Sequence, residues 1–280
     1  MRTLKLTISY DGSNYAGWQS QTRQQTLQGA LEQTLLRITG ETIRVTASGR
    51  TDSGVHALGQ VVSFLTASQL PADKFRRALN AWLPRDMAAL LVEEAPDGFH
   101  AIRCAVRKRY RYTIQDGPIL DVFRRHYCWH NFTRLDVKAM HAAAQALVGK
   151  HDFVSFETGG SPRKTSVRTV YELSVRRGAD AESHLVFTEI EADGFLYNMV
   201  RTIVGTLVEV GRGAREQSYP GEALQACNRR AAGMTSPAHG LTLMRVEYGA
   251  ADSILAEAQA DEDADEAWPD SDPREAQSII

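Results

Sequence analysis

Cysteine is scarce in this chain: Cys104, Cys128 and Cys227 are its only three among 280 residues. A small, odd and widely spaced set excludes a disulfide framework and a four-cysteine zinc site. Long apolar runs are missing, which excludes a bilayer-spanning helix. The opening segment Met1-Arg2-Thr3-Leu4-Lys5 runs straight into alternation, without the apolar core of a signal peptide. A large net charge is missing too, the formal total being −2. What is present is the balance of a soluble globular protein, with 43% apolar and 24% charged residues. The expectation is a reduced, cytoplasmic protein that does not enter a membrane.

The near-neutral total conceals an uneven distribution. Residues 251–280 hold ten acids and a single base, Arg274, which leaves 31 basic and 24 acidic residues on 1–250, a net charge of +7. A basic body suits a polyanion such as nucleic acid, although the same charge also fits an ordinary solvated surface. The acidic stretch has few large apolar residues and reads as a disordered tail that aids solubility. A sharper reading has it competing with a polyanion for the basic body. Unchanged affinity at low salt after deletion of 251–280 would reject that.

The pattern of the body alternates strands and helices. Leu4, Leu6 and Ile8 alternate with Lys5 and Thr7 as on a half-buried strand. Thr26 can cap a helix that carries Leu27, Ala30, Leu31, Thr34, Leu35 and Ile38 on one face. Strands are expected near 43–47, 60–65 and 88–93, and a helix over 72–82 with Phe75, Leu79 and Trp82 inward. This order is a split β-α-β. The second half repeats the theme, with strands near 107–115, 167–176, 184–192 and 241–248 and helices near 135–148, 195–209 and 221–231. The expected class is α+β, in two lobes over 1–103 and 104–250. Each lobe carries a mostly antiparallel sheet with helices on one face, a cleft lies between them, and the tail follows at 251–280.

Three segments carry reactive groups. Ser48-Gly49-Arg50-Thr51-Asp52-Ser53-Gly54-Val55-His56 sets an acid, a cation, hydroxyls and an imidazole between apolar strands. Asp52 there can serve as nucleophile or base, or simply accept bonds from turn amides. On a strand, Arg107-Lys108-Arg109-Tyr110-Arg111-Tyr112 puts Arg109 and Arg111 on one face and Lys108, Tyr110 and Tyr112 on the other. Cations of this kind hold phosphates, and tyrosine faces stack bases, at about 1–3 kcal/mol per base. Such a strand is also compatible with a basic surface over a tyrosine core. In the third segment, 195–205, Arg201 is the only charge in an apolar helical stretch. Burying it unpaired would be costly, so it needs an anion, and Asp52 is the candidate. A surface arginine with a snorkelling stem is the alternative.

A fourth segment, Tyr10-Asp11-Gly12 with Gly17-Trp18-Gln19, is an aromatic, Gly-rich loop. With it the chain resembles the tRNA pseudouridine synthase A family. The loop is similar to that family's first motif, and Gly49-Arg50-Thr51-Asp52-Ser53-Gly54-Val55-His56 to its catalytic motif. Phe99-His100-Ala101, the 109–112 strand, Asp152-Phe153 with Ser155-Phe156, Met199-Val200-Arg201 with Ile203-Val204-Gly205, and Gly240-Leu241 with Val246 and Tyr248 follow in order. The resemblance spans residues 3–248. It leaves the tail and Pro162-Arg163-Lys164 unassigned.

The resemblance implies a pseudouridine synthase fold and an isomerase that converts uridine to pseudouridine at positions 38–40 of the tRNA anticodon stem-loop. It implies Asp52 as nucleophile, Tyr110 stacked on the target base, Arg201 paired with Asp52, and Arg50 on phosphate or the displaced base pair. It also implies a homodimer with no metal or other cofactor. Arg109, Arg111 and Lys108 are further candidates for RNA contact. The residues fit this chemistry, because the isomerisation keeps every atom of uracil and a carboxylate can hold one fragment. Attack at C1′, attack at C6 and a glycal route remain open. A non-catalytic RNA-binding protein is the alternative. A hydrolase built on Ser53 and His56 lacks a G-x-S-x-G elbow and an evident third member.

Overall fold

The structure, a computed structural model, describes residues 1–159 and 165–249. The acidic tail and Pro162-Arg163-Lys164 lie outside the described residues. The strands are β1 (Arg2–Tyr10), β2 (Thr46–Ala47), β3 (His56–Thr66), β4 (Met87–Glu94), β5 (Ala105–Asp116), β6 (Trp129–Asn131), β7 (Gly149–Asp152), β8 (Val167–Arg177), β9 (Leu185–Ala192) and β10 (Leu241–Tyr248). The helices are α1 (Leu27–Thr39), α2 (Ala72–Trp82), α3 (Val137–Ala144), α4 (Met199–Gly211) and α5 (Tyr219–Gln225). The fold is α+β.

Alternation in β1 buries Leu4, Leu6, Ile8 and Tyr10 under α1 and α2. In α1 the side chain of Thr26 accepts from the Gly29 N–H, and Leu27, Leu31, Thr34 and Leu35 are buried on one face. In α2 Phe75 and Leu79 are buried, but Trp82 is half-exposed, with the Arg37 guanidinium 3.3 Å from its ring centre. The indole is amphipathic and finds a cation at the helix surface instead of a core position. Four expected elements are shorter than their patterns, among them the helix over 135–148, where α3 covers Val137–Ala144 and a 3₁₀ turn follows at Gln145–Leu147. Around 43–47 only Thr46 and Ala47 pair as strand, though Ile43 and Val45 remain buried. The helix expected from residue 195 starts at Met199, because Asn198 adopts the left-handed conformation, φ 60°. The helix expected over 221–231 covers Tyr219–Gln225, and a 3₁₀ turn follows at Arg229–Ala231.

The strands run β4-β1-β3-β10-β5-β9-β8-β7, with β2 beside β3 and β6 beside β5, in one ten-stranded sheet. The last strand of the described chain, β10, sits in its middle. It is antiparallel to β5 and parallel to β3, with Thr242 opposite His56 and Leu243 opposite Ala57. Parallel neighbours begin at the same end of a sheet. The loop entering β3, residues 48–55, therefore lies beside the loop entering β10, residues 233–240. This is the feature that builds the site.

Candidate active site

The 48–55 loop is held along its length. Tyr10 Oη and Thr51 Oγ1 are 2.9 Å apart. The Thr51 carbonyl accepts from the Trp18 N–H at 2.9 Å, and Ser53 Oγ donates to the Tyr15 carbonyl at 3.0 Å. The Val55 N–H closes the turn on the Asp52 carbonyl at 3.1 Å. Beneath it, buried Gln60 accepts from Ser48 Oγ at 2.7 Å and donates to the Gly49 carbonyl at 2.8 Å. The aromatic loop of 10–19 presses directly on this turn. Gly17 has φ +103°, and a Cβ there would lie 2.9 Å from the Thr51 carbonyl oxygen and 3.3 Å from Asp52 C.

Asp52 meets the anion-seeking arginine across 149 residues of chain. Arg201 Nη1 donates to Asp52 Oδ2 at 3.2 Å. The same guanidinium is clamped from behind. Nη1 donates to Asn198 Oδ1 at 2.6 Å and Nε to the Ser236 carbonyl at 2.8 Å. Ser236 in turn donates to the Arg201 carbonyl from both its N–H, at 3.1 Å, and its Oγ, at 2.7 Å. The left-handed turn that stops α4 at Asn198 thus also aims its amide oxygen at Arg201. Burial raises the Asp52 carboxyl above the ordinary aspartate range, and the Arg201 charge and hydrogen bond oppose that rise. Desolvation outweighs the arginine's opposing effect. The side chain of Asp52 keeps 25% of its surface open, so an incoming group can reach it.

Tyr110 is buried on β5, edge-on to Phe195 with ring centres 5.1 Å apart. Burial raises its phenol, and Tyr10 and Asp52 add to the rise. The phenol therefore stays protonated at neutral pH, beside the carboxylate. Tyr10, between Thr51 and Gln60, is pushed up by burial to about 12. Arg50 is exposed, two residues before Asp52 in the loop.

The remaining basic candidates are engaged within the protein. Lys108 Nζ donates to the Ser48 carbonyl at 2.6 Å, so it braces the loop that carries Asp52. Arg109 and Arg111 do point away from Tyr110, as alternation requires, but carboxylates surround them there. Arg109 binds Glu191 at 2.9 Å, Glu189 at 3.2 Å and also Glu172. Arg111 binds Glu189 at 2.7 Å. Glu189 and Glu191 stand directly opposite on β9, Glu191 across from Arg109 and Glu189 across from Arg111, while Glu172 reaches in from β8. The alternation in 107–112 was legible locally, but the partner strand was not. Ser53 and His56 each bond elsewhere, Ser53 to Tyr15 and His56 to backbone groups at 12, 126 and 239, so no nucleophile–base pair forms. Among the described residues no group of three or more His, Cys, Asp or Glu side chains is placed to hold a metal. Asn198, Ser236 and Gln60 were not anticipated. Asn198 lies one helical turn before Arg201 and had that spacing as a clue. Ser236 and Gln60 had none.

Comparison with known proteins agrees with this geometry. The family model described as tRNA pseudouridine synthase matches residues 6–102 and 143–249. Arg50, Asp52 and Arg201 fall within the matched residues, and Lys108–Arg111 between them. A protein of Brevibacillus brevis named tRNA pseudouridine synthase A is 49% identical over 248 residues, covering 89% of this chain and 100% of its own length. Proteins of the same name are 50% identical in Moorella thermoacetica, over 251 residues, and 44% identical in Acetivibrio thermocellus, over 248 residues. Each of these covers 89% of this chain and all of its own length. A loop carboxylate paired to a helix arginine, the matching model and relatives at this identity together place the chain in the tRNA pseudouridine synthase family.

Proposed function

We propose that this protein isomerises uridine to pseudouridine at positions 38–40 of the tRNA anticodon stem-loop, with Asp52 as the nucleophile. The observation that carries the reading is the Arg201–Asp52 pair, in which a partly open carboxylate is aimed by a doubly clamped guanidinium. A protein that only bound RNA would have no use for such an acid. The reaction conserves atoms and electrons: the N1–C1′ bond breaks, the uracil turns, a C5–C1′ bond forms, and the C5 proton moves to N1. A carboxylate can hold one fragment meanwhile, whether it attacks C1′ or C6, and it or a neighbour can accept a sugar proton on a glycal route. The Arg201 charge favours the ionised acid against the rise that burial imposes. Tyr110 supplies an aromatic face for the base and a protonated phenol beside the acid. Taking the base out of its stack costs a few kcal/mol, which stacking and phosphate contacts offset. Arg50, exposed at the mouth of the loop, suits a phosphate or the displaced base pair.

On this reading the protein is a cytoplasmic homodimer of two-lobed subunits, 1–103 and 104–250, with the tRNA lying across both subunits and the catalytic cleft between the lobes of each. The +7 body supports a polyanionic substrate. Among the described residues no helix is long and apolar enough to cross a membrane. The test is incubation of the full chain with unmodified tRNA and mapping of pseudouridine in the anticodon arm. Product at 38–40 is expected from the wild type and none from Asp52→Asn, with tRNA binding nearly intact. Turnover by Asp52→Asn rejects the nucleophile assignment.

A further inference from the structure

His56 is the first residue of β3, four positions after Asp52, and is 4% exposed. Its ring touches three segments of the chain at once, at 11–12, 126–127 and 239. Nδ1 accepts from the Gly12 N–H at 3.1 Å and lies 3.1 Å from Asp11 Oδ1. Nε2 faces two carbonyl oxygens, His126 at 3.0 Å and His239 at 3.2 Å, and carries the proton that bonds them. Tyr127 packs on the ring, 5.1 Å between centres, and its hydroxyl donates to Asp11 Oδ2 at 2.7 Å.

Two of these contacts bear on the reacting pair. The Asp52–Val55 turn runs directly into His56, so His56 is the anchor at its C-terminal end, as Thr51 is at its start. The His239 carbonyl belongs to the 233–240 loop, three residues after Ser236, and Ser236 is the residue that grips Arg201. One imidazole therefore joins the loop that carries the carboxylate to the loop that holds its guanidinium. We propose that His56 is a positioning residue that sets Asp52 against Arg201 by bridging the 52–55 turn to the 236–240 loop. It rests on the reading of Asp52 as nucleophile. The third segment it ties in, around His126, is exposed and apolar-basic, with Phe123 87% exposed beside Arg124 and Arg125, and it meets the imidazole through the His126 carbonyl and the Tyr127 ring.

The test compares full-length His56 variants by single-turnover isomerisation at saturating tRNA, tRNA Kd and Tm. His56→Leu removes both bridges, and its rate should fall on the order of tenfold to 100-fold, as small misplacements of a reacting group do. Its Kd should stay within about twofold of wild type, since the bound ground state is untouched. His56→Gln can still donate to the two carbonyls from the Nε2 position and should recover most of the rate. His56→Asn reaches only the Gly12 side and should recover little. If His56→Leu does not fold, the Gln–Asn comparison decides. An Asn variant as fast as the Gln variant, a folded Leu variant at wild-type rate, or a loss confined to Kd overturns the proposal. Turnover by Asp52→Asn would instead defeat the nucleophile assignment and leave the His56 comparison standing by itself.

Discussion

Asp52 is held where its charge is useful to chemistry and unfavourable to folding. Its carboxyl is raised by burial more than Arg201 lowers it. A folded-state value above the unfolded one means that the native protein holds this proton more tightly. Stability from Asp52 is then fullest below the ordinary aspartate range and declines as pH rises through the raised value. Asp52→Asn should consequently melt no lower than wild type at neutral pH, measured by thermal unfolding, while losing activity on the proposed reading. A clear fall in Tm would contradict the direction of the shift. If Asp52 is the nucleophile, as proposed, the rate should behave oppositely, growing as pH rises through the same value and the carboxyl ionises. Arg201→Gln removes the opposing charge, so the acid limb of the single-turnover pH–rate profile should move to higher pH. An unmoved limb would show that the two residues are uncoupled. Tyr110→Phe keeps the aromatic face and loses the phenol. A drop of about 100-fold in single-turnover rate with unchanged Kd is expected if the hydroxyl takes part in proton movement.

Elements position these residues through a few close contacts. Helix α4 carries Arg201 and lies against the 232–236 segment that holds Ser236. At Gly205 the approach is so tight that a Cβ would sit 1.8 Å from the Met234 carbonyl oxygen. Gly205→Ala should push α4 away, costing about 1–3 kcal/mol in urea unfolding and lowering the rate with it. An alanine variant that is fully stable and active would mean that the helix can shift without consequence. Farther away, the ends of β5 and β8 and the start of α3 converge on Asp116, whose side chain is fully buried. It accepts from Arg177 at 2.7 and 2.8 Å, Arg134 at 3.1 Å and the Leu135 N–H at 2.8 Å. Burial pushes this carboxyl up, but Arg177, Leu135 and Arg134 together hold it below the ordinary range. Its stabilising effect is complete above the unfolded value of 3.8 and is lost as pH falls through the lower folded one. Asp116→Ala should cost about 3 kcal/mol at pH 7, because it strands two arginines. The penalty should shrink in strongly acidic solution.

At the scale of the molecule, charge is the property that meets the substrate. The body's +7 favours a polyanion, but the arginines of β5 contribute little to it, since Glu172, Glu189 and Glu191 neutralise them in place. The tRNA affinity should fall steeply with salt, with a log–log slope that counts the phosphates released from counterions. Arg109→Ala should leave that slope nearly unchanged and lower Tm instead. A reduced slope would show that Arg109 reaches the RNA after all.

Local chemistry made much of this molecule readable from its residues in order. Alternation in 4–8 and the periodic face of 27–38 specify a strand and a helix, because each follows from the spacing of side chains along one segment. The acid in a polar turn and the one charge of the apolar 195–205 stretch could be matched because an unpaired buried guanidinium is too costly to leave alone. Contacts between distant segments were decided only by folding. The place of β10 between β3 and β5 brings the 48–55 and 233–240 loops together, and with them Ser236, Asn198 and His56 around the ion pair. The acids that occupy Arg109 and Arg111 depend on a strand register some 80 residues away in sequence. The same is true of the acidity of Asp52: which charges lie near a carboxyl can be guessed from a sequence, but how much water is left beside it is set by tertiary packing.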